Sequence, residues 1–111
     1  MQVLELIRKY DFHDSCVIQL NREKDTIKMT IDLCMWKQDG YIEREDEQRE
    51  VVLKFNLVKD YTWDSDKKEE DIDYATILEI EYKEDGIKMV LLDESISIIT
   101  FKCCDVDVME Q

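Results

Sequence analysis

The sequence predicts a mainly β domain: an antiparallel β-sandwich or jelly-roll-like sheet of about six strands with a short N-terminal helix. Three observations support this fold class. Apolar and polar residues alternate over several segments, an Asp-Gly pair marks a hairpin, and the 111 residues contain no proline and no evident repeat or linker. A chain of this length is typical of one domain, so residues 1–111 are predicted to form a single β-rich domain.

The N-terminal part of the chain is predicted to form a helix and a β-hairpin. Over residues 1–11, apolar side chains recur at spacings of three and four, as on one face of an amphipathic helix. These side chains are Val3, Leu4, Ile7 and Tyr10. Strands are predicted next at residues 15–20 and 26–37, joined by a polar turn. The residues predicted to share one face of the first strand are Cys16, Ile18 and Leu20.

The rest of the chain is predicted to alternate acidic loops with strands. Acidic residues dominate both loops, which we interpret as solvated segments. The last strand carries apolar residues on both faces, a pattern typical of a central strand. In chain order the elements are a loop at 38–50, a strand at 51–59, a loop at 60–73, strands at 74–83 and 87–92 around an Asp-Gly turn, and a strand at 95–108.

The net charge limits the classes of partner. The chain carries 28 acidic and 15 basic residues, a formal charge of −13. Binding to a phosphate backbone or to an anionic membrane relies on lysine and arginine, so we predict neither nucleic acid nor membrane as a partner. A basic protein is the natural complement. No apolar run approaches the roughly 20 residues of a membrane span, and no signal peptide is evident, which favours the cytoplasm.

The four cysteines are interpreted as reduced structural thiols of a cytoplasmic protein. They are Cys16, Cys34, Cys103 and Cys104. With His13 they are the residue types of a zinc site, but no Cys-x-x-Cys pair is present. The acidic run at residues 64–71 lacks the glycine of an EF-hand loop. We therefore predict no metal and no cofactor, and the oligomeric state is not indicated.

The segment Phe12-His13-Asp14-Ser15 is predicted to be a structural helix-to-strand turn rather than a catalytic triad, because adjacent side chains of an extended segment diverge. With the following residues 17–20, this segment resembles small uncharacterised bacterial β-proteins that begin with a helix and a His-Asp-Ser or His-Asp-Ala turn. Some of these look like immunity proteins of toxin systems. The resemblance covers residues 4–36, with a weaker likeness at 98–108, and implies an antiparallel β-fold without catalysis.

Aromatic residues close to acidic loops suggest a partner interface, with core packing as the competing explanation. The candidate interface residues are Trp36, Tyr41, Glu43, Glu45, Asp46, Tyr61, Trp63, Asp64 and Asp66. The leading hypothesis is a non-enzymatic acidic protein-interaction domain, in a specific form an immunity protein that neutralises a basic toxin. The alternative is a ligand- or metal-binding β-domain.

Overall fold

The computed structural model describes residues 1–42 and 47–110, and this part of the chain contains one helix and eight strands. Helix α1 spans Val3–Lys9. The strands are β1 at Cys16–Glu23, β2 at Thr26–Cys34, β3 at Gln48–Asn56, β4 at Lys59–Asp64, β5 at Ala75–Lys83, β6 at Gly86–Leu92, β7 at Ile96–Lys102 and β8 at Asp105–Glu110. Short 3₁₀ turns lie at Met35–Lys37 and Glu69–Asp71.

The strands form one open antiparallel sheet in the order β4-β7-β6-β5-β1-β2-β3-β8. The predicted mainly β, antiparallel fold with a short N-terminal helix is confirmed. The predicted number of strands is too low, because the acidic segment 60–73 supplies most of β4. The predicted strand 95–108 is in fact two strands, β7 and β8, which separate at residues 103–104. The predicted description as a sandwich is imprecise, because hydrogen bonds join all eight strands into one sheet.

The sheet has two halves of equivalent topology, a repeat that the sequence analysis missed. The first half contains β1, β2, β3 and β8, and the second contains β5, β6, β7 and β4. In the first half, β1, β2 and β3 form a meander, and β8, which follows the second meander in the chain, pairs with β3. In the second half, β5, β6 and β7 form a meander, and β4, which follows the first meander in the chain, pairs with β7. The β1–β2 and β5–β6 hairpins carry bulges 60 residues apart, at Ile18 and Leu78. They also share an Ile-Lys-Met sequence at residues 27–29 and 87–89.

The hydrophobic core lies between the two halves of the bent sheet. Phe55 of β3 and Phe101 of β7 are separated by four intervening strands in the sheet, yet their ring centroids lie 5.0 Å apart in an edge-to-face geometry. Both rings are buried. Such contact requires the sheet to bend until its halves face each other, so each strand has an inner face in the core and an outer face directed away from it.

The two bulges change which residues face the core. Because Ile18 is an extra residue in β1, Val17 and Leu20 point inward while Cys16 lies on the outer face beside Thr76. The predicted common face of Cys16, Ile18 and Leu20 is therefore wrong. Leu78 has the same effect in β5, where Ile77 faces inward and Glu79 outward.

Helix α1 packs against the sheet through Val3 and Leu6, both buried. Leu4, predicted to lie on the packed face, is 40% exposed, because a helix beginning at Val3 directs positions 3 and 6 toward the core. The Met1 carbonyl accepts a hydrogen bond from the Val106 amide of β8 at 2.9 Å, and the Tyr10 hydroxyl donates to Glu110 at 2.9 Å. The N-terminal segment thus covers part of the β8 edge.

Candidate functional site

The residues His13, Asp14 and Ser15 lie in the connection between α1 and β1. Asp14 has a left-handed backbone with φ of 68°, and its amide donates to the Ile77 carbonyl. Ser15 is buried, and its Oγ accepts a hydrogen bond from the Cys34 amide at 2.8 Å. The Ser15 hydroxyl therefore holds β2 to this turn, which is a structural role.

The His13 ring lies at the surface in a small charged cluster. Its Nδ1 is 3.3 Å from the Asp14 carboxylate and 3.4 Å from the Lys37 ammonium, which also contacts Asp14 at 3.2 Å. Because the Ser15 hydroxyl is buried and already bonded to the Cys34 amide, it is not placed as a nucleophile for this imidazole. The geometry of this segment gives no support to hydrolytic catalysis.

The structure describes six of the nine candidate interface residues. Trp36 is 54% exposed on the 3₁₀ turn after β2, with the Lys37 ammonium 5.2 Å from its ring centroid. Tyr41 is partly buried against the core. Glu43, Glu45 and Asp46 lie outside the described residues. The remaining candidates, Tyr61, Trp63, Asp64 and Asp66, lie on β4 or in the loop that follows it.

The aromatic side chains of β4 pack on the core and hold the neighbouring loop. The Tyr61 ring stacks on Phe101 with ring centroids 6.4 Å apart, and the Arg22 guanidinium lies 4.1 Å from the centroid of the Tyr61 ring. Arg22 also donates two hydrogen bonds to Glu69, at 2.8 and 3.0 Å. Burial raises the pKa of the Tyr61 phenol. The Trp63 indole donates to the Lys67 carbonyl at 2.7 Å. These contacts favour the competing explanation, core packing, for both rings.

The acidic loop after β4 is ordered by specific contacts rather than being a freely solvated charge run. Ser65 and Ser97 share a hydroxyl hydrogen bond of 2.6 Å, and the Lys67 ammonium donates to Asp93. The hydrogen bond from Lys67 lowers the pKa of Asp93. Across residues 1–42 and 47–110, no group of three or more histidine, cysteine or acidic side chains is arranged to hold a metal ion. Asp64 and Asp66 remain exposed at the edge of the second half.

The clearest candidate site is an apolar patch on the outer face of the second half, which we call the outer quartet. Its members are Val90 and Leu92 of β6 and Ile96 and Ile98 of β7. Val90 pairs with Ile98, and Leu92 pairs with Ile96, so the four side chains form a square on one face. Leu92 is 40% exposed and Ile96 46%. These two exposed side chains adjoin Val90 and Ile98, so the four residues form a contiguous apolar patch rather than scattered surface residues.

Carboxylates flank the outer quartet on both sides. Glu79 of β5 pairs with Val90, and Asp64 of β4 pairs with Ile98. One row across the sheet therefore reads acid, apolar, apolar, acid. The β6–β7 turn at the end of the quartet adds the exposed carboxylate of Glu94. The patch is thus an apolar centre with acidic neighbours, the arrangement of an interface core with a polar rim.

The first half shows that the fold does not require this patch. By strand register, the equivalents of Val90, Leu92, Ile96 and Ile98 are Thr30, Asp32, Glu50 and Val52. Three of these four are polar. Since both halves have the same strand pairing, the apolar character of the outer quartet is a property of its sequence and not of the sheet geometry.

The sequence did contain a signal for the outer quartet. The predicted strand at 95–108 carries apolar residues on both faces, a pattern that we interpret as typical of a central strand. The structure places β7 between β4 and β6 in its half, and no second layer formed by residues 1–42 or 47–110 covers the outer face of β7. Sequence alternation identifies two apolar faces without showing whether anything packs on them.

The cysteines provide a direct check of local burial. All four are free thiols. Burial, with smaller contributions from the neighbouring Cys104 and Asp105, raises the pKa of Cys103 to about 11. We expect iodoacetamide at pH 8 to alkylate exposed Cys104 at least about tenfold faster than Cys103, because only the thiolate reacts. Tandem mass spectrometry assigns each site, and urea-unfolded protein is the control. Equal rates in the folded protein would contradict the burial of Cys103.

No protein-family model, curated protein or solved structure matches this chain. Within the described residues, no helix has the length and apolar character needed to cross a membrane.

Proposed function

We propose that this domain is a non-enzymatic interaction module that binds a basic protein through the outer quartet. The observation that carries the proposal is the row Glu79, Val90, Ile98, Asp64, in which an apolar pair lies between two carboxylates. Apolar burial would supply binding free energy, while the charge of −13 would attract and orient a cationic partner. This combination predicts binding that weakens as salt rises, because rim charges are screened.

The specific form of the proposal is an immunity protein that neutralises a basic toxin domain in the cytoplasm. The acidic charge supports it, as does the resemblance carried by His13, Asp14 and Ser15. If the domain is an immunity protein, the partner that it captures is a toxin, and the activity of that toxin falls in proportion to the amount of the domain that is added. A partner that is basic but has no toxin activity would remove the immunity assignment and leave the binding proposal in place.

The test is capture of proteins from host lysate with paired variants. Leu92→Asp with Ile96→Glu places on the quartet the side chains found at the equivalent positions of the first half. Gln19→Glu with Asn21→Asp adds the same charge of −2 to the exposed outer face of the first half, and is the matched control. We expect wild type and control to retain one basic protein, and the quartet variant to lose it.

The expected loss of affinity in the quartet variant follows from the central position of the outer quartet in the proposed interface. Loss of interface anchors of this kind costs at least about 2 kcal/mol, which is about a 30-fold weakening. Titration with the purified partner at low and moderate salt measures it. Equal affinity of wild type and quartet variant would contradict the proposed surface, and loss of binding in the control variant would assign binding to overall charge or to the first half.

A further inference from the structure

We infer, on the basis of the proposed function, that the element of the partner that occupies the outer quartet is a basic amphipathic α-helix. The helix lies along β6 and β7, with its N-terminus at the β6–β7 turn. Three features of the described residues carry this inference: the state of the sheet edges, the spacing of the flanking carboxylates, and the distribution of charge along the patch.

The sheet edges are poorly suited to accept a partner strand. At the β8 edge, the Val106 amide already donates to the Met1 carbonyl. At the β4 edge, the pairing with β7 is interrupted between Lys59 and Thr62, and Asp60 has a left-handed backbone with φ of 54°. Bulges and charges of this kind oppose strand addition. These features favour docking on the face of the sheet, where the outer quartet lies, over strand addition at the edges.

A segment of the partner that docks on the face of the sheet must satisfy the hydrogen-bonding groups of its own backbone. An extended segment lying over four aliphatic side chains would leave amide and carbonyl groups against an apolar surface without partners, whereas a helix pairs these groups internally. The width also suits a helix. Glu79 and Asp64 lie three strand spacings apart, about 14 Å, and a helix with side chains is about 10–12 Å wide. Lysine or arginine on both flanks of its apolar stripe would reach these carboxylates.

The charges at the two ends of the patch set the direction of the helix. At the β6–β7 turn, Asp93 is paired with Lys67, and Glu94 provides the exposed negative charge. At the opposite end of the same outer face, the exposed cations Lys88 and Lys102 outnumber the one carboxylate, Glu81, that pairs with Lys88 in the sheet. A helix N-terminus is stabilised by nearby anions and its C-terminus by nearby cations. From Lys88 to Leu92, the last residue of β6, the strand rises about 13 Å, and the turn that carries Glu94 lies beyond it. The patch therefore accommodates a helix of at least about 9 residues.

The test uses a synthetic peptide of about 14 residues built from leucine, lysine and alanine. Leucines occupy one face at helical spacing and lysines flank them on both sides. A scrambled peptide of the same composition has no apolar face. We expect the patterned peptide to gain helicity on binding and to shift amide resonances of β6 and β7. We also expect at least about tenfold weaker binding to L92D/I96E than to wild type or to Q19E/N21D. Circular dichroism and NMR titration measure these effects.

A nitroxide at either end of the peptide tests the direction. We expect an N-terminal label to broaden amides near Glu94 and a C-terminal label to broaden those near Lys88. The reverse pattern overturns the direction, and equal binding of the scrambled peptide or shifts confined to the first half overturns the helical occupant. If the peptide does not bind while lysate capture yields a basic protein that depends on the outer quartet, only the inference of a helical occupant is wrong. If the peptide does not bind and lysate capture yields no such protein, the proposed function is wrong as well.

Discussion

Truncation of Phe101 to alanine is expected to lower the free energy of unfolding by about 3–5 kcal/mol. The Phe101 ring is buried in the contact between the two halves of the sheet, where it touches Phe55 and Tyr61. A domain of this size is typically stable by about 5–15 kcal/mol, so the loss is a large fraction of the total. Urea denaturation of wild type and variant measures it.

A double-mutant cycle shows whether the two halves meet through these rings. Phe55→Ala, Phe101→Ala and the double variant are expected to give a coupling of about 0.5–1.5 kcal/mol, as for other aromatic pairs in contact. Lys102→Ala is the control, because its side chain is exposed on the outer face, and its effect should lie within about 0.5 kcal/mol. Additive effects of the two phenylalanine variants would contradict face-to-face packing of the halves at this point.

Truncation of Leu6 to alanine is expected to cost about 2–5 kcal/mol and to loosen the N-terminal segment. Helix α1 has seven residues, and helices this short are unstable without tertiary contacts. Leu6 is fully buried and provides much of that contact. Loss of this anchor should also expose the β8 edge, because Met1 no longer covers the Val106 amide. Denaturation and hydrogen exchange of that amide measure the two effects.

Leu4→Ala is the matched control for this variant. It removes the same atoms from the same helix, but at a position that is largely exposed, so we expect a change within about 0.5 kcal/mol and no faster exchange at Val106. Equal destabilisation by the two variants would contradict the burial of Leu6. Unchanged exchange at Val106 in Leu6→Ala would show that the N-terminal residues hold the β8 edge independently of the helix.

Local sequence patterns located the helix and most of the strands, but they did not always show which face of a strand points toward the core. The alternation within the predicted strand 26–37 correctly identified the inner side chains of β2, because the extra residue of the β1–β2 bulge lies in β1 and β2 itself alternates without interruption. The faces of β1 and β5 could not be predicted in the same way, because the bulges at Ile18 and Leu78 arise from pairing with a neighbouring strand. A single inserted residue exchanges the inner and outer faces.

The edge strand β4 was missed because its sequence does not look like an independent strand. It lies in a segment rich in acidic residues, and its two aromatic side chains were interpreted as candidate interface residues in a loop, with core packing as the competing explanation. In the structure, Tyr61 and Trp63 face the core because Trp63 pairs with Ile99 of β7. Strand formation at this position depends on a partner about 40 residues away, which local periodicity does not contain.

The candidate site was also only partly predictable from the sequence. Asp64 and Asp66 were predicted as interface residues from their acidic surroundings, and Asp64 does lie next to the outer quartet. Leu92 and Ile96 were not predicted, because an apolar residue in a strand is most simply explained by burial. Only the pairing of β6 with β7, and the absence of a covering layer among the described residues, shows that these side chains are exposed together.

The sequence by itself determined the class of the protein: an acidic, mainly β, antiparallel domain with a short N-terminal helix. These properties follow from composition and from periodicities of two and of three to four residues, which are local. Only the tertiary structure decided the strand order, the two equivalent halves, the direction of the faces after each bulge and the exposure of the outer quartet. Those features depend on which distant segments pair and what packs on each face, and such long-range contacts leave no signature in the spacing of neighbouring residues.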